Sequence, residues 1–537
     1  MDPTTVISRL RRLFRTRRRR PSIYEHVRDH IQAGRPGLRE GGETLPDEGD
    51  IEGPIRWAAG AKDGVGLDHL GLESEQARLG DILRELTAAV ASPRRDLSNL
   101  ESALADTDVL SIIDGLLKAL AESEVDAGGV AAVGRRLATE SSSRNPVKLG
   151  IALLGAVTTN EHREVFLVLG RHEEFTLYSA GAIQNTERDP EPILWELAKL
   201  VTGWGRIDIV ERLSETTSRE IKDWILRQGF RNDIMNEYLA YIGATTGDLV
   251  GALDDPNPDD EMLEAACDLL SALIQGGTAQ DIDDYADAPH ATKLLLGHLG
   301  ERASTTRHLI AVDDIERFLN GDEEAWTRRE TGAWPRGLRA QFLATCAEIK
   351  SRRMWGEIVN TELQSDDPGT FSMAERAARI VGVDTFELNL ARVAADPIDG
   401  SWFTVMQDVN STRLPRVLEL AERSLPLTDI ASGPAEELGL GPEFNAHGAL
   451  SIVVQDLDRF PGQGWRLVTT ALQSRVVNNR HQAIRALEAW GPGAWPREAV
   501  EAVREAARLE PDDELRARMN ALIISDAKLT PGNRRER

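Results

Sequence analysis

One pattern recurs from residue 73 to residue 525: stretches of 10–18 residues carry apolar side chains at helical spacing, and short breaks separate them. In residues 107–122, for example, Val109, Ile112 and Leu116 fall on one helical face. Spacings of three and four residues indicate amphipathic helices, whereas no convincing run alternates with the period of two that predicts a strand. The sequence therefore predicts an all-α fold.

More than twenty helices in series cannot share the core of one bundle, so we expect each helix pair to pack on its neighbours. A pair unit is visible near the C-terminus. Its first helix ends at Trp490 and Gly491, and Pro496 then opens its second helix. In period and pattern the chain resembles HEAT or armadillo-like repeat proteins, although no strict repeat is visible. This resemblance implies an irregular α-solenoid of antiparallel helix pairs. The predicted helices include a short one at 279–285.

Changes in composition predict five parts of the chain. Residues 34–55 are rich in glycine, proline and acid, which predicts a loop that is either functional or poorly ordered. Gly60, Gly64 and Gly66 make a regular helix costly, so we expect a turn-rich joint there with Trp57 buried. The predicted parts are a basic amphipathic or disordered arm (1–20), an N-terminal helix with loop and joint (21–72), a helical repeat array (73–425), C-terminal helical repeats (426–525) and a disordered tail (526–537).

The overall composition argues against several classes of protein. A formal net charge of −25 disfavours a surface built for nucleic acid. Two cysteines cannot form a disulfide framework or a four-thiolate zinc site, and Cys267 and Cys346 lie among apolar helical residues, as buried inert thiols do. The chain has no apolar stretch of the ~18 residues that a membrane span needs, and its polar start lacks the apolar core of a secretory signal. We expect an acidic cytoplasmic protein.

The first twenty residues differ from the rest because they hold eight arginines and one acid. Val6, Leu10 and Leu13 form a short apolar stripe if this segment is helical, which favours contact with an anionic membrane surface, such as the inner membrane face, or with an acidic partner. The alternatives are a disordered arm with no fixed partner, a contact with nucleic acid, and a contact with the acidic body of the same chain. The arginines predicted to contact an anionic surface are Arg11, Arg12, Arg15, Arg17, Arg18, Arg19 and Arg20.

Two clusters of acids occur close together in the sequence, and the first surrounds two prolines in a loop between predicted helices. They lack the alternating spacing and central glycine of an EF-hand loop, so the alternatives are a solvated acidic rim and a docking surface for a basic partner. The residues of this predicted acidic rim are Asp254, Asp255, Asp259, Asp260, Asp283 and Asp284.

Aromatic residues suggest one further binding surface. The chain has eleven tryptophans against five tyrosines. Trp204, Trp224 and Tyr238 fall in one short stretch and are candidates for a ligand groove. The alternative is that they pack between neighbouring repeats, as large aromatic side chains commonly do.

Histidines supply the candidate metal ligands. His26 and His30 are four residues apart on a predicted helix, which places both imidazoles on one face as a metal pair requires. His162 and His172 each begin a His-x-acid sequence of the kind found in iron sites with two histidines and one carboxylate. The alternative is exposed histidines on helix surfaces and at helix ends. Because no ligand set is complete, no metal or cofactor is predicted.

Several strings in the N-terminal half are more specific than a generic repeat. Together they resemble a family of bacterial soluble proteins labelled limonene hydroxylase, which implies a hydroxylation reaction but brings no residue with a known catalytic role. The chain lacks the cysteine loop of a thiolate-ligated haem, the Glu-x-x-His pairs of a di-iron bundle and the G-x-G-x-x-G turn of a dinucleotide fold. The strings are PSIYEHVRDHI (21–31), LPDE (45–48), IRWAAGAKDGV (55–65), WELAKLVTGWGRIDIVERL (195–213) and IKDWILRQGFRNDIMNEYLAYIGATTGDL (221–249).

The sequence thus predicts function less sharply than architecture. We expect a non-catalytic helical-repeat scaffold or adaptor that binds a protein or peptide on its concave or acidic face. One alternative is a hydroxylase-type enzyme with a cofactor that the sequence does not declare. The other is a peripheral membrane protein tethered by residues 1–20.

Overall fold

The computed structural model describes residues 20–50, 58–66, 76–92, 96–123, 125–157, 159–277, 279–398 and 400–529. Helix accounts for 69% of the structure, and the described residues contain no strand beyond two isolated bridges, Ile31–Leu38 and Glu437–Val476. The prediction of an all-α fold is confirmed.

Contacts within the chain divide it into two compact units, and among the described residues the boundary lies between Val381 and Gly382. The five-part division expected from composition stays a prediction. The helices of the first unit are α1 (Ile23–His30), α2 (Ala61–Val65), α3 (Gln76–Ala91), α4 (Ser98–Leu104), α5 (Val109–Ala121), α6 (Ala127–Glu140), α7 (Arg144–Ala156), α8 (Arg163–Leu169), α9 (Glu173–Thr186), α10 (Glu191–Ala198), α11 (Trp204–Arg212), α12 (Arg219–Trp224), α13 (Glu237–Thr245), α14 (Leu249–Leu253), α15 (Asp260–Gln275), α16 (Ala288–Arg302), α17 (Thr306–Leu319), α18 (Glu323–Thr331), α19 (Leu338–Lys350), α20 (Met354–Glu362) and α21 (Pro368–Val381).

The helices of the second unit are α22 (Phe386–Ala395), α23 (Trp402–Gln407), α24 (Leu414–Ser424), α25 (Leu427–Ile430), α26 (Asn445–Gln455), α27 (Trp465–Leu472), α28 (Val477–Trp490), α29 (Ala499–Leu509) and α30 (Asp513–Leu529). One apolar core extends from Phe386 to Leu522. The indole N–H groups of its buried tryptophans donate to backbone carbonyls: Trp402 to Pro397 at 2.8 Å and Trp490 to Leu457 at 2.6 Å.

Packing in the first unit follows chain order. Helices α5, α7, α9, α11, α13, α15, α17 and α19 contact one another in succession, each helix packing against the next but one. Within this series α7 is buried on most of its surface, and Leu149, Ile151 and Leu153 are fully inaccessible. In this series, each helix is therefore covered by helices close to it in sequence.

One predicted helix is not formed, and one observed helix is not indicated by the sequence pattern. Residues 279–285 form turns instead of a helix, because aspartate side chains bond the local backbone: the Asp283 amide donates to Asp281 Oδ1 at 2.8 Å and the Asp281 amide to Asp284 Oδ2 at 3.0 Å. The periodicity also indicates no helix over 173–186, where the structure has α9. This helix is buried on nearly all sides, so it has no apolar stripe against a polar one.

Candidate functional site

The most concentrated buried charge in the first unit surrounds Lys148 in the middle of α7. Its ammonium lies 2.7 Å from Asp63 Oδ2 of α2 and 2.6 Å from Glu174 Oε1 of α9. All three side chains are less than a tenth exposed. We call Asp47, Asp63, Arg144, Lys148 and Glu174 the Lys148 cluster.

Arg144, one turn before Lys148, joins the N-terminal loop to α7. Its guanidinium lies 3.1 Å from Asp47 Oδ1 and 2.6 Å from Glu48 Oε2. The backbone amide of Arg144 also donates to Asp47 Oδ2 at 2.7 Å. Asp47 thereby satisfies an amide in the first turn of α7, where the helix dipole also favours a negative charge.

Lys148 and Glu174 both stay ionised at neutral pH. Burial acts to lower the pKa of Lys148, but Glu174 and Asp63 outweigh it and hold that pKa above the usual value. Burial acts to raise the pKa of Glu174, yet Lys148 and Arg144 bring it below the usual value. Lys148 is therefore an ammonium ion held by two carboxylates, unsuited to act as a nucleophile.

Tyr178 completes the contacts of Asp63. Its hydroxyl donates to Asp63 Oδ2 at 3.1 Å. Burial, with Asp63 next in effect, raises the pKa of this phenol well above 10. The phenol is a fixed hydrogen-bond donor, and the cluster as a whole joins four segments of the chain by charge: the N-terminal loop, α2, α7 and α9.

His172 and the two glutamates that follow it are integral to the same region. The His172 ring is fully buried: Nδ1 accepts from the Glu174 amide at 3.2 Å and Nε2 donates to the Glu43 carbonyl at 3.3 Å. Burial lowers the pKa of His172 to about 4, so the ring is neutral. The interpretation of His162 and His172 as exposed helix ends is wrong, because both side chains are buried.

The side chain of Glu173, the first residue of α9, lies at the N-terminus of α11. Its carboxylate accepts from the amides of Thr202 and Gly203 at 3.1 Å and of Gly205 at 2.6 Å. These amides precede or open α11, whose first amides have no partner within the helix. A side chain of α9 thus caps α11, which keeps the two helices in register.

A small pocket lies beside the cluster, between α2 and helices α9 and α11. Its free volume is about 40 Å³, enough for a few water molecules and too small for an organic substrate. The acids on its wall have partners: for example, Asp208 binds Arg212 at 3.0 Å. The lining residues are Gly60, Asp63, Gly64, Glu173, Glu174, Leu177, Trp204, Gly205, Ile207, Asp208 and Glu211.

The structure brings together two of the three aromatic residues proposed for a groove. The rings of Trp204 and Tyr238 are 5.2 Å apart. Trp224 instead lies under the guanidinium of Arg206 at 5.9 Å. Of the three aromatics, Trp204 alone lines the pocket, and it is 9% exposed. A ligand groove shared by the three residues stays a prediction.

Three of the six aspartates of the acidic rim pair with arginines of the same chain. Each pair joins segments more than 30 residues apart. The pairs are Asp259 with Arg227 at 2.7 Å, Asp260 with Arg302 at 2.8 Å, and Asp283 with Arg329 at 2.7 Å.

The other three rim aspartates are exposed. Asp255 accepts from the Asn257 amide at 2.9 Å, Asp284 accepts from the Asp281 amide, and Asp254 follows α14. Exposed charges of this kind contribute little to stability. They remain available to a basic partner, and such docking stays a prediction.

His26 and His30 lie on α1 with their ring centroids 4.4 Å apart. Each ring bonds a backbone carbonyl: His26 Nε2 that of Gly42 at 3.1 Å, and His30 Nδ1 that of His26 at 2.7 Å. The described part of the chain holds no group of three or more His, Cys, Asp and Glu side chains arranged to ligate a metal. Cys267 and Cys346 are both buried and unpaired, as expected.

Most of the arginine-rich arm lies outside the described residues, which include only Arg20 of its seven proposed contact residues. Arg20 is exposed. Among the helices of the described ranges, none combines the length and the apolar composition required to cross a bilayer.

Sequence reasoning missed the Lys148 cluster. One signal was Lys148 itself, the only charge within the apolar run PVKLGIALLGA. A second was the pair Gly60 and Gly64 around Asp63, because a β-carbon at Gly64 would lie 2.5 Å from Trp204 Cδ2. Glycines at that spacing permit α2 to approach α11 closely.

A second buried ion pair in the other unit was also missed. Arg480 donates to both carboxylate oxygens of Glu510 at 2.7 Å, and both side chains are fully buried. Arg480 also donates to the carbonyls of Ala435 at 2.8 Å and Ser474 at 2.9 Å. Arginine and glutamate are rarely fully buried unless they are paired, which is why neither residue alone indicated this contact.

No known protein family, no curated protein and no solved structure matches the chain. The resemblances to helical repeat proteins and to the limonene hydroxylase family therefore rest on the sequence strings and on the helical fold alone.

Proposed function

We propose that the chain is an irregular α-solenoid of the HEAT or armadillo kind that acts as a non-catalytic scaffold or adaptor for a protein or peptide. The observation that supports this most directly is the succession of next-but-one helix contacts from α5 to α19. Helices stacked in chain order present repeated side-chain rows on an extended surface, which is how solenoids hold partners.

The buried charges fit the same function. The Lys148 cluster and the Arg480–Glu510 pair connect segments of the chain, and each cation contacts more than one acceptor. Such clusters fix the positions of neighbouring helices. A scaffold needs this rigidity, because a partner that spans several helices binds best when they are already arranged.

The solenoid can be tested by hydrogen exchange on a core variant. Leu269 of α15 is fully buried, so Leu269→Ala should destabilise by ~2–5 kcal/mol. In a one-dimensional stack the added exchange should be confined to α13, α15 and α17, with α5 and α7 unchanged. A uniform rise across the first unit would contradict the solenoid.

The binding function can be tested by placing a photo-crosslinking amino acid at one exposed position in each of α11, α13, α15 and α17 of the full chain. In native lysate, the same partner should be captured from several successive helices. Capture from none would contradict the proposal. A stoichiometric metal, or an absorbing cofactor in the visible spectrum of the natively purified protein, would favour the hydroxylase alternative.

A further inference from the structure

We propose that the surface formed by α7, α9 and α11 is a binding site for an acidic peptide, and that the chain's own N-terminal strap occupies it in this structure. The strap is defined as residues 32–48 and 58–66. This inference rests on the proposed function and names the kind of partner that the scaffold holds.

The charges of the site and of the strap are complementary. The site supplies Arg144 and Lys148, four residues apart on α7. The strap supplies Asp47 and Glu48 to Arg144, and Asp63 to Lys148. With the strap removed, the remaining acid near both cations would be Glu174, at 2.6 Å from Lys148 and 3.8 Å from Arg144. Two cations one helical turn apart would then face a groove in a protein of net charge −25.

The site also binds the main chain of the strap. Arg171 Nη2 donates to the carbonyls of Arg35 at 2.7 Å and Gly37 at 3.1 Å. The Gly37 amide donates to the Leu200 carbonyl at 3.1 Å, and the Gly60 amide to Glu174 Oε2 at 3.1 Å. Contacts to backbone atoms hold a segment whatever its side chains, which is how peptide-binding surfaces combine affinity with tolerance.

Glycines set the shape that the occupant needs. A β-carbon at Gly60, where φ is +71°, would lie 2.7 Å from the Glu173 carbonyl oxygen. One at Gly64 would meet the Trp204 ring. The acid that reaches Lys148 is therefore followed directly by a residue without a side chain. The sequence that fits the site is an Asp-Gly pair within an acidic stretch.

Charge and hydrogen bonds hold the strap more than apolar burial does. Of the long aliphatic side chains in the strap as defined, Leu45 is buried, whereas Leu38 and Val65 are partly exposed. A competitor that supplies the same acidic groups would leave no buried charge unpaired, whereas simple release of the strap would leave Lys148 with one counter-charge in a desolvated site. An acidic partner segment can thus replace the strap, and a neutral one cannot.

The test uses a fluorescein-labelled synthetic peptide with the sequence of residues 41–66. It is titrated into the full chain and into the full-length variant Asp47→Asn, Glu48→Gln, Asp63→Asn, whose own strap is weakened. We expect the variant to bind at least tenfold more tightly than the wild type. Binding should weaken with salt, and a peptide carrying the same three neutral substitutions should not bind.

A second measurement uses the wild-type chain in case the variant unfolds. Excess isotope-labelled peptide should raise hydrogen exchange in residues 58–66 of the full chain, and the neutral peptide should leave it unchanged. Absence of binding to both chains, with no change in exchange, would overturn the inference, as would equal binding of the acidic and neutral peptides. Crosslinks to a partner on α13 to α17 without peptide binding would leave the scaffold standing and remove this site, whereas peptide binding without any captured partner would do the reverse.

Discussion

The peptide backbone of Gly64 lies against the indole ring of Trp204, 140 residues later in the chain, so closely that a β-carbon at Gly64 would fall 2.5 Å from indole Cδ2. No real β-carbon is found that close to another atom, so the short helix α2 can dock on α11 only with glycine at this position. Trp204 is 9% exposed, which leaves its ring little room to move aside.

The variant Gly64→Ala should therefore destabilise the protein by ~1–3 kcal/mol, the usual cost of overpacking. Gly80, on an exposed face of α3, is the matched control because a β-carbon there meets nothing within 4 Å. Gly80→Ala should stabilise by ~0.5–1 kcal/mol, since alanine favours a helix interior. Urea unfolding measures both changes. Equal effects of the two substitutions would show that the approach to Trp204 is not tight.

Replacement of Lys148 should be among the most damaging single changes in the first unit. Lys148→Met leaves Asp63 and Glu174 buried without their cation, which costs ~3–5 kcal/mol. Adding Asp63→Asn and Glu174→Gln should recover part of that loss. The control is Lys118→Met at an exposed position of α5, which should change the free energy of unfolding by less than ~0.5 kcal/mol. If Lys148→Met unfolded at the wild-type urea concentration, Lys148 would not be the centre of a buried cluster.

Stability should fall between pH 6.5 and pH 4, partly because of His172. Burial lowers its folded pKa to about 4, below the ~6.5 of the unfolded chain, so the unfolded state takes up the proton first. The contribution of His172, ~3 kcal/mol, is fully present above pH 6.5 and is lost as the pH falls toward 4. The titratable groups that act on the ring are Glu174, Arg144 and His26. The Glu43 carboxylate oxygen Oε2 lies 3.8 Å from His172 Nε2.

The measurement for this prediction is the melting temperature at pH 7.5 and pH 5. His172→Asn keeps an acceptor at the start of α9 but does not titrate, so its melting temperature should fall less than that of the wild type. His290 is exposed, and His290→Asn should behave as the wild type does. An unchanged pH dependence in His172→Asn would mean that the ring is hydrated.

The arginine-rich arm yields a prediction from sequence alone. Each basic residue near an anionic membrane adds ~1 kcal/mol, so eight arginines should give salt-sensitive binding to anionic vesicles. Deletion of residues 1–20 should abolish that binding and leave the melting temperature nearly unchanged. Flotation with vesicles at ~10 mM salt, where the Debye length is ~30 Å, measures it. A full-length protein that ignores such vesicles would redirect the arm to a partner or to its own acidic body.

Periodicity predicted helices wherever one face is apolar and the other wet, and it failed where that contrast disappears. Helix α9 buries Glu174, Thr176 and Ser179 along with its apolar residues, so its sequence resembles an exposed segment. The ion pair of Arg480 and Glu510 fails for a similar reason, since each residue alone is typical of a surface. Only tertiary contacts reveal that a charge is buried, and they join residues far apart in the chain.

The candidate site was therefore out of reach of local patterns, although its parts were visible. The sequence strings at 45–48, 55–65 and 195–213 are more specific than those of a generic repeat. Their described residues Asp47, Asp63 and Trp204 meet around the same region of α7, α9 and α11. The glycines around α2 predict a joint because glycine disfavours helix, whereas in the structure Gly60 and Gly64 permit close packing.

The Lys148–Asp63 contact also determines when the strap can dock during synthesis on the ribosome. Asp63 is made 85 residues before Lys148, and at 5–20 residues per second it waits about 4 to 17 s for its counter-charge. During that time the Asp63 carboxylate stays hydrated, because its ammonium partner has not been synthesised. The strap can therefore dock only after α7 has been synthesised, and a nascent chain halted before α7 would leave the strap unbound.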